Sequence, residues 1–159
     1  MQAIPESTID TVLSDFEAGK WTVEEVIKEW ETQQPILLGY FFSENFDMLT
    51  DEEKPYLLYL ASVIWRSIHQ IAPVQESLDQ KALDDTEEAN WELLNEANSP
   101  KFRDRLTPFF ERTQQEDLLA FIEDSLELND DDEDDWKLTK EGREPIFIGL
   151  STMVDCLTT

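Results

Sequence analysis

The sequence has 159 residues, of which 37 are Asp or Glu and only 12 are Lys or Arg, so its net charge is -25. Disordered acidic chains reach such charges with few aromatic residues, whereas 40% of this chain is hydrophobic and 11% is aromatic. We therefore expect a folded protein with a packed interior and a strongly anionic surface. The same charge disfavours direct binding to nucleic acid, because phosphate groups repel an anionic surface.

Glycine and proline are scarce, which favours helices over a β-sheet. The chain has only four Gly and seven Pro, and a sheet would need more turn residues and longer runs of β-branched residues. Its length is that of one domain. We predict a single all-α domain over residues 1–159, built as a compact bundle of about six to eight helices. Two central apolar helices are expected near 55–71 and 144–157.

Cysteine usage and hydropathy indicate the compartment. Cys156 is the only cysteine, so an internal disulfide is impossible and a reducing environment is expected. No uncharged apolar run approaches the ~20 residues that cross a bilayer. The first residues also lack the basic and apolar regions of a secretory signal. We predict a cytoplasmic protein that does not contact membranes.

Spacing and capping patterns predict the first two helices. Ser7 or Thr8 is expected to cap the first helix and Gly19 to end it. Thr22 followed by Glu25 is a capping-box pattern, which predicts a short second helix. Apolar residues at i, i+3, i+4 and i+7 mark the buried face of the first helix: Ile9, Val12, Leu13 and Phe16.

The segment 36–49 is almost continuously apolar and allows two interpretations. One is a strand over its first seven residues, and the other is a helix through the whole segment. We favour the helix because Phe46 continues the apolar pattern at helical spacing. Thr50 and Glu53 then repeat the capping-box pattern and begin the central helix near 55–71.

Shorter helices are predicted in the second half of the chain. Pro73 is expected to begin a long, charged, peripheral helix that extends to about Ala97. Apolar residues then mark two short helices, over about 102–110 and 118–126. An acidic connector at 127–136 leads into the second central helix.

The acidic connector is a candidate cation site. Nine of the thirteen residues from 123 to 135 are acidic and none is basic, and such a block stays solvated unless a cation or a basic partner binds it. Position 6 of a calcium loop requires Gly but is Asp135 here, so a solvated connector is the more usual outcome. Four acids fit positions 1, 3, 5 and 12 of such a loop: Asp130, Asp132, Asp134 and Glu141.

The same connector is a candidate surface for a basic partner. Trp136 follows seven residues of which six are acidic, and an indole beside carboxylates can anchor a basic peptide. Packing of Trp136 onto the bundle is the alternative. The candidate partner-binding residues are Asp130, Asp131, Asp132, Glu133, Asp134, Asp135 and Trp136.

Two other residue sets carry candidate chemistry but have simpler interpretations. Glu88, Glu92 and Glu96 lie at i, i+4 and i+8, a spacing that suits a hard cation and is also usual for a solvated helix face. Cys156 and His69 offer a nucleophile and a base, yet a buried thiol and a core histidine are the ordinary findings. We predict no cofactor.

A small basic group, residues 101–112, is expected to pair with neighbouring acids rather than to bind nucleic acid. It comprises Lys101, Arg103, Arg105 and Arg112. On a helix these four residues do not form one clean stripe.

Three functional hypotheses follow. The first is a non-enzymatic interaction protein that binds a basic protein and neutralises or adapts it, because an anionic surface attracts such partners. The second is a carboxylate-based metal-binding protein or metal-dependent hydrolase. The third is a helical domain that self-associates as a homodimer.

Overall fold

The structure is a computed structural model that describes residues 1–74, 76–127 and 138–159. Within these ranges the regular elements are helices, which confirms the all-α prediction. One short 3-10 helix, Glu44–Phe46, accompanies nine α-helices: α1 Glu6–Glu17, α2 Val23–Gln33, α3 Pro35–Phe41, α4 Glu53–Ile71, α5 Gln80–Glu96, α6 Phe102–Arg105, α7 Thr107–Arg112, α8 Glu116–Ser125 and α9 Lys140–Thr158. Because only Leu106 separates α6 from α7, the described residues form eight helical units.

The two central helices are α4 and α9, as predicted. Every residue from Pro145 to Val154 is buried, so α9 is surrounded on all sides by other helices. On α4 the buried residues follow one helical stripe: Leu57, Leu60, Ala61, Ile64 and Ile68. Both helices begin earlier than the apolar pattern indicates, at Glu53 and Lys140. None of the described helices combines the length and apolar character that crossing a bilayer requires.

The predicted cap of α2 and the predicted end of α1 are confirmed, whereas the predicted cap of α1 is wrong. The Thr22 hydroxyl accepts a hydrogen bond from the Glu25 amide at 3.2 Å, which confirms the cap of α2. Gly19, with φ of +78°, follows the end of α1 in the left-handed conformation that glycine adopts without strain. The predicted Ser7 or Thr8 cap is wrong, because α1 begins at Glu6 and Pro5 stands at its N-cap.

The apolar segment 36–49 is helical only in its first part, so the prediction of one helix to its end is wrong. Helix α3 stops at Phe41, and the Ser43 hydroxyl donates to the Tyr40 carbonyl at 2.7 Å where the chain turns into the 3-10 helix. The turn packs the Phe46 ring against α9, where a Cβ on Gly149 would lie 2.8 Å from that ring. Close packing against a glycine therefore interrupts the helix.

Helix α5 begins at Gln80, seven residues after the predicted start at Pro73. The Gln34 side chain holds the intervening segment, since its amide donates to the Glu76 carbonyl at 2.6 Å and its oxygen accepts from the Leu78 amide at 2.9 Å. Asp79 then caps α5 by accepting from the Ala82 amide at 3.1 Å. Helix α5 packs along α9 through Leu83, Asn90 and Leu94.

Candidate partner-binding surface

Most residues of the predicted connector site lie outside the described residues. These are Asp130, Asp131, Asp132, Glu133, Asp134, Asp135 and Trp136. The calcium and partner hypotheses for them therefore remain predictions. The remaining candidate ligand, Glu141, is exposed in the first turn of α9.

The other candidate metal ligands do not converge. Glu88, Glu92 and Glu96 are all exposed along α5. In the described part of the chain, no group of three or more His, Cys, Asp or Glu side chains is arranged to hold a metal ion.

The hydrogen bonds of His69 and the burial of Cys156 indicate structural roles for both side chains. The Val74 amide donates to His69 Nε2 at 3.3 Å, which leaves the ring proton on Nδ1, 2.9 Å from the Trp65 carbonyl. Both ring nitrogens thus serve backbone groups at the end of α4. Burial raises the pKa of the Cys156 thiol, which disfavours the thiolate that nucleophilic catalysis requires.

Three members of the basic group pair with nearby acids, as predicted. Arg103 lies 3.6 Å from Glu123, Arg105 pairs with Glu144, and Arg112 lies 3.4 Å from Asp155. Arg112 also donates to Asn90, a fully buried amide whose nitrogen reaches Thr152 at 3.1 Å. These arginines therefore form ion pairs within the chain, and the surface keeps its acidic excess.

A groove of about 430 Å³ opens between α1, α4 and α8. We call it the acidic groove. Its apolar and aromatic lining consists of Ile9, Leu13, Tyr56, Tyr59, Leu60, Ala120 and Phe121. Ser125 of α8 also lines the groove. Its acidic residues are Glu6, Asp10, Asp117 and Asp124, all exposed, and none of the described lining residues is basic.

Hydrogen bonds align the two walls of the acidic groove. The Glu6 amide donates to Asp117 Oδ2 at 3.0 Å, and the Ile4 amide donates to the buried Gln115 side chain at 2.9 Å. The starts of α1 and α8 therefore lie together. At the opposite end, the Tyr56 hydroxyl donates to the Ser125 carbonyl at 2.6 Å, so α8 ends where α4 begins.

The floor of the acidic groove is uncharged. Burial raises the pKa of both the Tyr56 and the Tyr59 hydroxyls, so both remain neutral at physiological pH. The Tyr59 ring is also held edge-on against Phe16 of α1, with 5.8 Å between ring centroids. Neither Asp10 nor Asp124 forms an ion pair with a described residue. The groove thus combines an uncharged aromatic floor with exposed carboxylates.

Comparison with protein-family models, curated proteins and solved structures gave no match for this chain. The sequence analysis missed the acidic groove, although one signal was visible: Glu6 and Asp10, and likewise Asp117 and Asp124, lie at helical spacings beside apolar stripes. Acids in such positions are usually solvated, and only the meeting of three helices brings them around one depression.

Proposed function

We propose that the protein is a non-enzymatic interaction protein that binds a basic protein partner in the acidic groove, and thereby neutralises the partner or adapts it to other proteins. The observation that carries this proposal is the composition of the groove: an apolar, aromatic floor beside four exposed acids, with no basic residue in its described lining. A basic segment that carries apolar side chains is complementary to both features.

The two features contribute differently to binding. The net charge of -25 attracts a basic partner over long range and speeds the encounter. Affinity then comes from burial of apolar surface on Tyr59 and Phe121, at roughly 25 cal/mol per Å² of apolar area removed from water. Aromatic side chains are typical anchors of protein interfaces.

The proposal includes a reducing compartment such as the cytoplasm, because Cys156 has no partner for an internal disulfide. Binding to nucleic acid or to anionic membranes is not part of it, since both carry the same charge as the protein. The metal-dependent alternative gains no support from the described carboxylates.

Self-association is a second candidate, favoured by the loop after α3. Phe42 and Met48 on this loop are 64% and 63% exposed, which is unusual for large apolar side chains. Mutual repulsion between two copies of charge -25 opposes this contact at low salt. Sedimentation at low and high salt tests it, because a dimer formed through this loop should appear with added salt and disappear in Phe42→Ser/Met48→Ser.

A comparative pull-down tests the main proposal. The wild type, Asp10→Asn/Asp124→Asn and Glu88→Gln/Glu92→Gln are immobilised and exposed to cell lysate at low salt, and bound proteins are released by higher salt and identified. The last variant removes the same charge from α5 and serves as the matched control. We expect basic proteins to elute from the wild type and the control, and a clearly smaller amount of them to elute from the groove variant.

Two results would contradict the proposal. Recovery of no basic protein at any salt concentration would remove the function itself. Equal losses for the groove and control variants would show that overall charge, rather than the acidic groove, determines binding.

A further inference from the structure

The walls of the acidic groove present their lining residues at helical spacing. On α1 the lining residues are Glu6, Ile9, Asp10 and Leu13, and on α8 they include Asp117, Ala120, Phe121 and Asp124. Each set follows i, i+3, i+4 and i+7, so each wall spans eight residues, or roughly 10 Å along the helix axis. The groove is therefore about two helical turns long.

The volume of the groove suits a row of side chains rather than a whole chain segment. A helix with its side chains is about 10 Å wide, so two turns of it occupy roughly 800 Å³. The acidic groove offers about 430 Å³. A bound helix would thus insert one apolar stripe, while its body rests above the rim.

Backbone hydrogen bonding favours a helix over an extended segment as the occupant. An extended peptide that binds by strand addition needs a sheet edge to satisfy its amides and carbonyls, and the described residues form helices and turns. On the apolar floor, an extended backbone would leave these groups unsatisfied. A helix satisfies them internally and exposes only side chains to Tyr59, Leu60 and Phe121.

The distribution of charge indicates where basic residues lie on the bound helix. Asp10 on α1 and Asp124 on α8 are exposed on opposite walls, beside a neutral floor. Basic residues on both sides of an apolar stripe would meet these carboxylates. Ala120, a small residue on the α8 wall, permits close approach.

We propose that the acidic groove binds an amphipathic helical segment of a partner, with an apolar stripe of two turns flanked on both sides by Lys or Arg. This inference rests on the proposed function and specifies the ligand that the groove takes. The mode of recognition is helix-in-groove, in which apolar side chains at i, i+3 or i+4, and i+7 act as anchors.

Three synthetic peptides of equal charge test the inference by calorimetry at moderate salt. The first places Leu at i, i+3, i+4 and i+7 among Lys and Ala. The second has the same composition but distributes Leu around the whole helix, and the third replaces a central Ala of the first by Pro, which breaks the helix. We expect the first peptide to bind about tenfold more tightly than either of the others and to gain helicity on binding, as measured by circular dichroism.

Protein variants locate the binding site. Ala120→Trp fills the groove, and Asp124→Lys reverses an exposed charge without changing the core; each should weaken binding of the first peptide about tenfold. Glu88→Gln/Glu92→Gln should change its affinity less than twofold. A melting curve for each variant shows that it is folded, and Asp124→Lys keeps the test decisive if Ala120→Trp unfolds the chain.

The outcomes separate the two proposals. If all three peptides bind equally and release with salt, the protein binds basic ligands but the inference of a helical ligand is wrong. Tighter binding of the Pro peptide would also overturn it, in favour of an extended ligand. If no peptide binds, the acidic groove is not a site for basic segments, and the proposed function fails with the inference.

Discussion

Two regions of this protein use carboxylates in opposite ways. At the junction where α4 and α9 begin, Glu53 is fully buried. Its Oε1 accepts from the Thr50 amide at 3.0 Å, and its Oε2 accepts from both the amide and the hydroxyl of Thr139 at 3.0 Å. In the acidic groove, Asp10 and Asp124 are exposed and without ion pairs in the described chain. One acid is therefore part of the framework, whereas the others stay exposed to solvent.

The junction explains why two central helices can begin side by side. Each helix start has free amide groups and a partial positive charge, which a carboxylate neutralises. Glu53 closes the capping box of α4, because its own amide donates to the Thr50 hydroxyl at 3.1 Å. It also orients Thr139, whose hydroxyl accepts from the Gly142 amide at 2.8 Å and caps α9.

Substitution of Glu53 should have the largest effect. In Glu53→Gln, the side-chain amide cannot accept from both Thr50 and Thr139, so at least one buried donor loses its partner. We expect the free energy of unfolding to fall by about 3 kcal/mol, as measured by urea denaturation. The exposed neighbour supplies the control, Glu52→Gln, which should change it by less than about 0.5 kcal/mol. Equal stability of the two variants would show that the junction is not structural.

Gly142→Ala should have the next largest effect. A Cβ at this position would lie 2.1 Å from Glu53 Oε2, so the carboxylate must move away from Thr139. We expect a loss of about 2 kcal/mol. Gly39→Ala is the matched control, because a Cβ there meets nothing within 4 Å, and alanine should stabilise α3 by about 0.5–1 kcal/mol.

A double-mutant cycle identifies the cause of this loss. In the Glu53→Ala background, the clash is absent and Gly142→Ala should become neutral or stabilising, because alanine favours a helix interior over glycine. If Gly142→Ala costs the same in both backgrounds, its effect does not pass through Glu53.

Of the contacts at this junction, the sequence predicted the one between Thr50 and Glu53 but not the one between Glu53 and Thr139. The Thr50 and Glu53 spacing shows a capping box, because that pattern is local. The contact from Glu53 to Thr139 spans 86 positions in the sequence and depends on how α4 meets α9, which no local pattern encodes. Likewise, the apolar patterns of α4 and α9 predicted the core, but the early end of α3 depends on the packing of Phe46 against Gly149.

The candidate site was harder to predict than the fold. Sequence patterns drew attention to the densest run of acids, around Asp130, because local density is what a sequence shows directly. The acidic groove brings together ordinary surface acids such as Asp10 and Asp124 from helices that are more than a hundred positions apart. Its chemistry arises from tertiary packing, and sequence spacing shows only that each acid lies beside an apolar stripe.

A smaller, global effect concerns acidity and salt. Burial raises the pKa of the Asp155 carboxyl, although hydrogen bonding to Asn90 and the charge of Arg112 oppose it; burial likewise raises that of Glu123. A native pKa above the unfolded value means that the folded state binds more protons, so stability increases as pH falls from 7 through the raised native values. We expect the melting temperature to rise between pH 7 and about pH 5.

Added salt separates two contributions to the change in melting temperature, charge repulsion among the acids and burial of carboxyl groups. Mutual repulsion among exposed acids is screened by salt, so the melting temperature at pH 7 should rise with ionic strength. The part caused by burial of Asp155 should persist at high salt. Calorimetric melting at three pH values and two salt concentrations measures both, and a flat or falling response would show that the acids are individually paired or act as caps.

Removal of two acids from the acidic groove should have the smallest effect on stability. Asp10→Asn/Asp124→Asn removes two exposed charges that repel neighbouring acids and cap no helix. The free energy of unfolding should therefore stay within about 0.5 kcal/mol of the wild type, with any change towards higher stability, while binding of basic peptides falls. Denaturation and calorimetry on the same preparations measure both quantities. A carboxylate that binds a ligand contributes little to the stability of the free protein. Marked destabilisation would therefore show that Asp10 and Asp124 have a structural role, as Glu53 does.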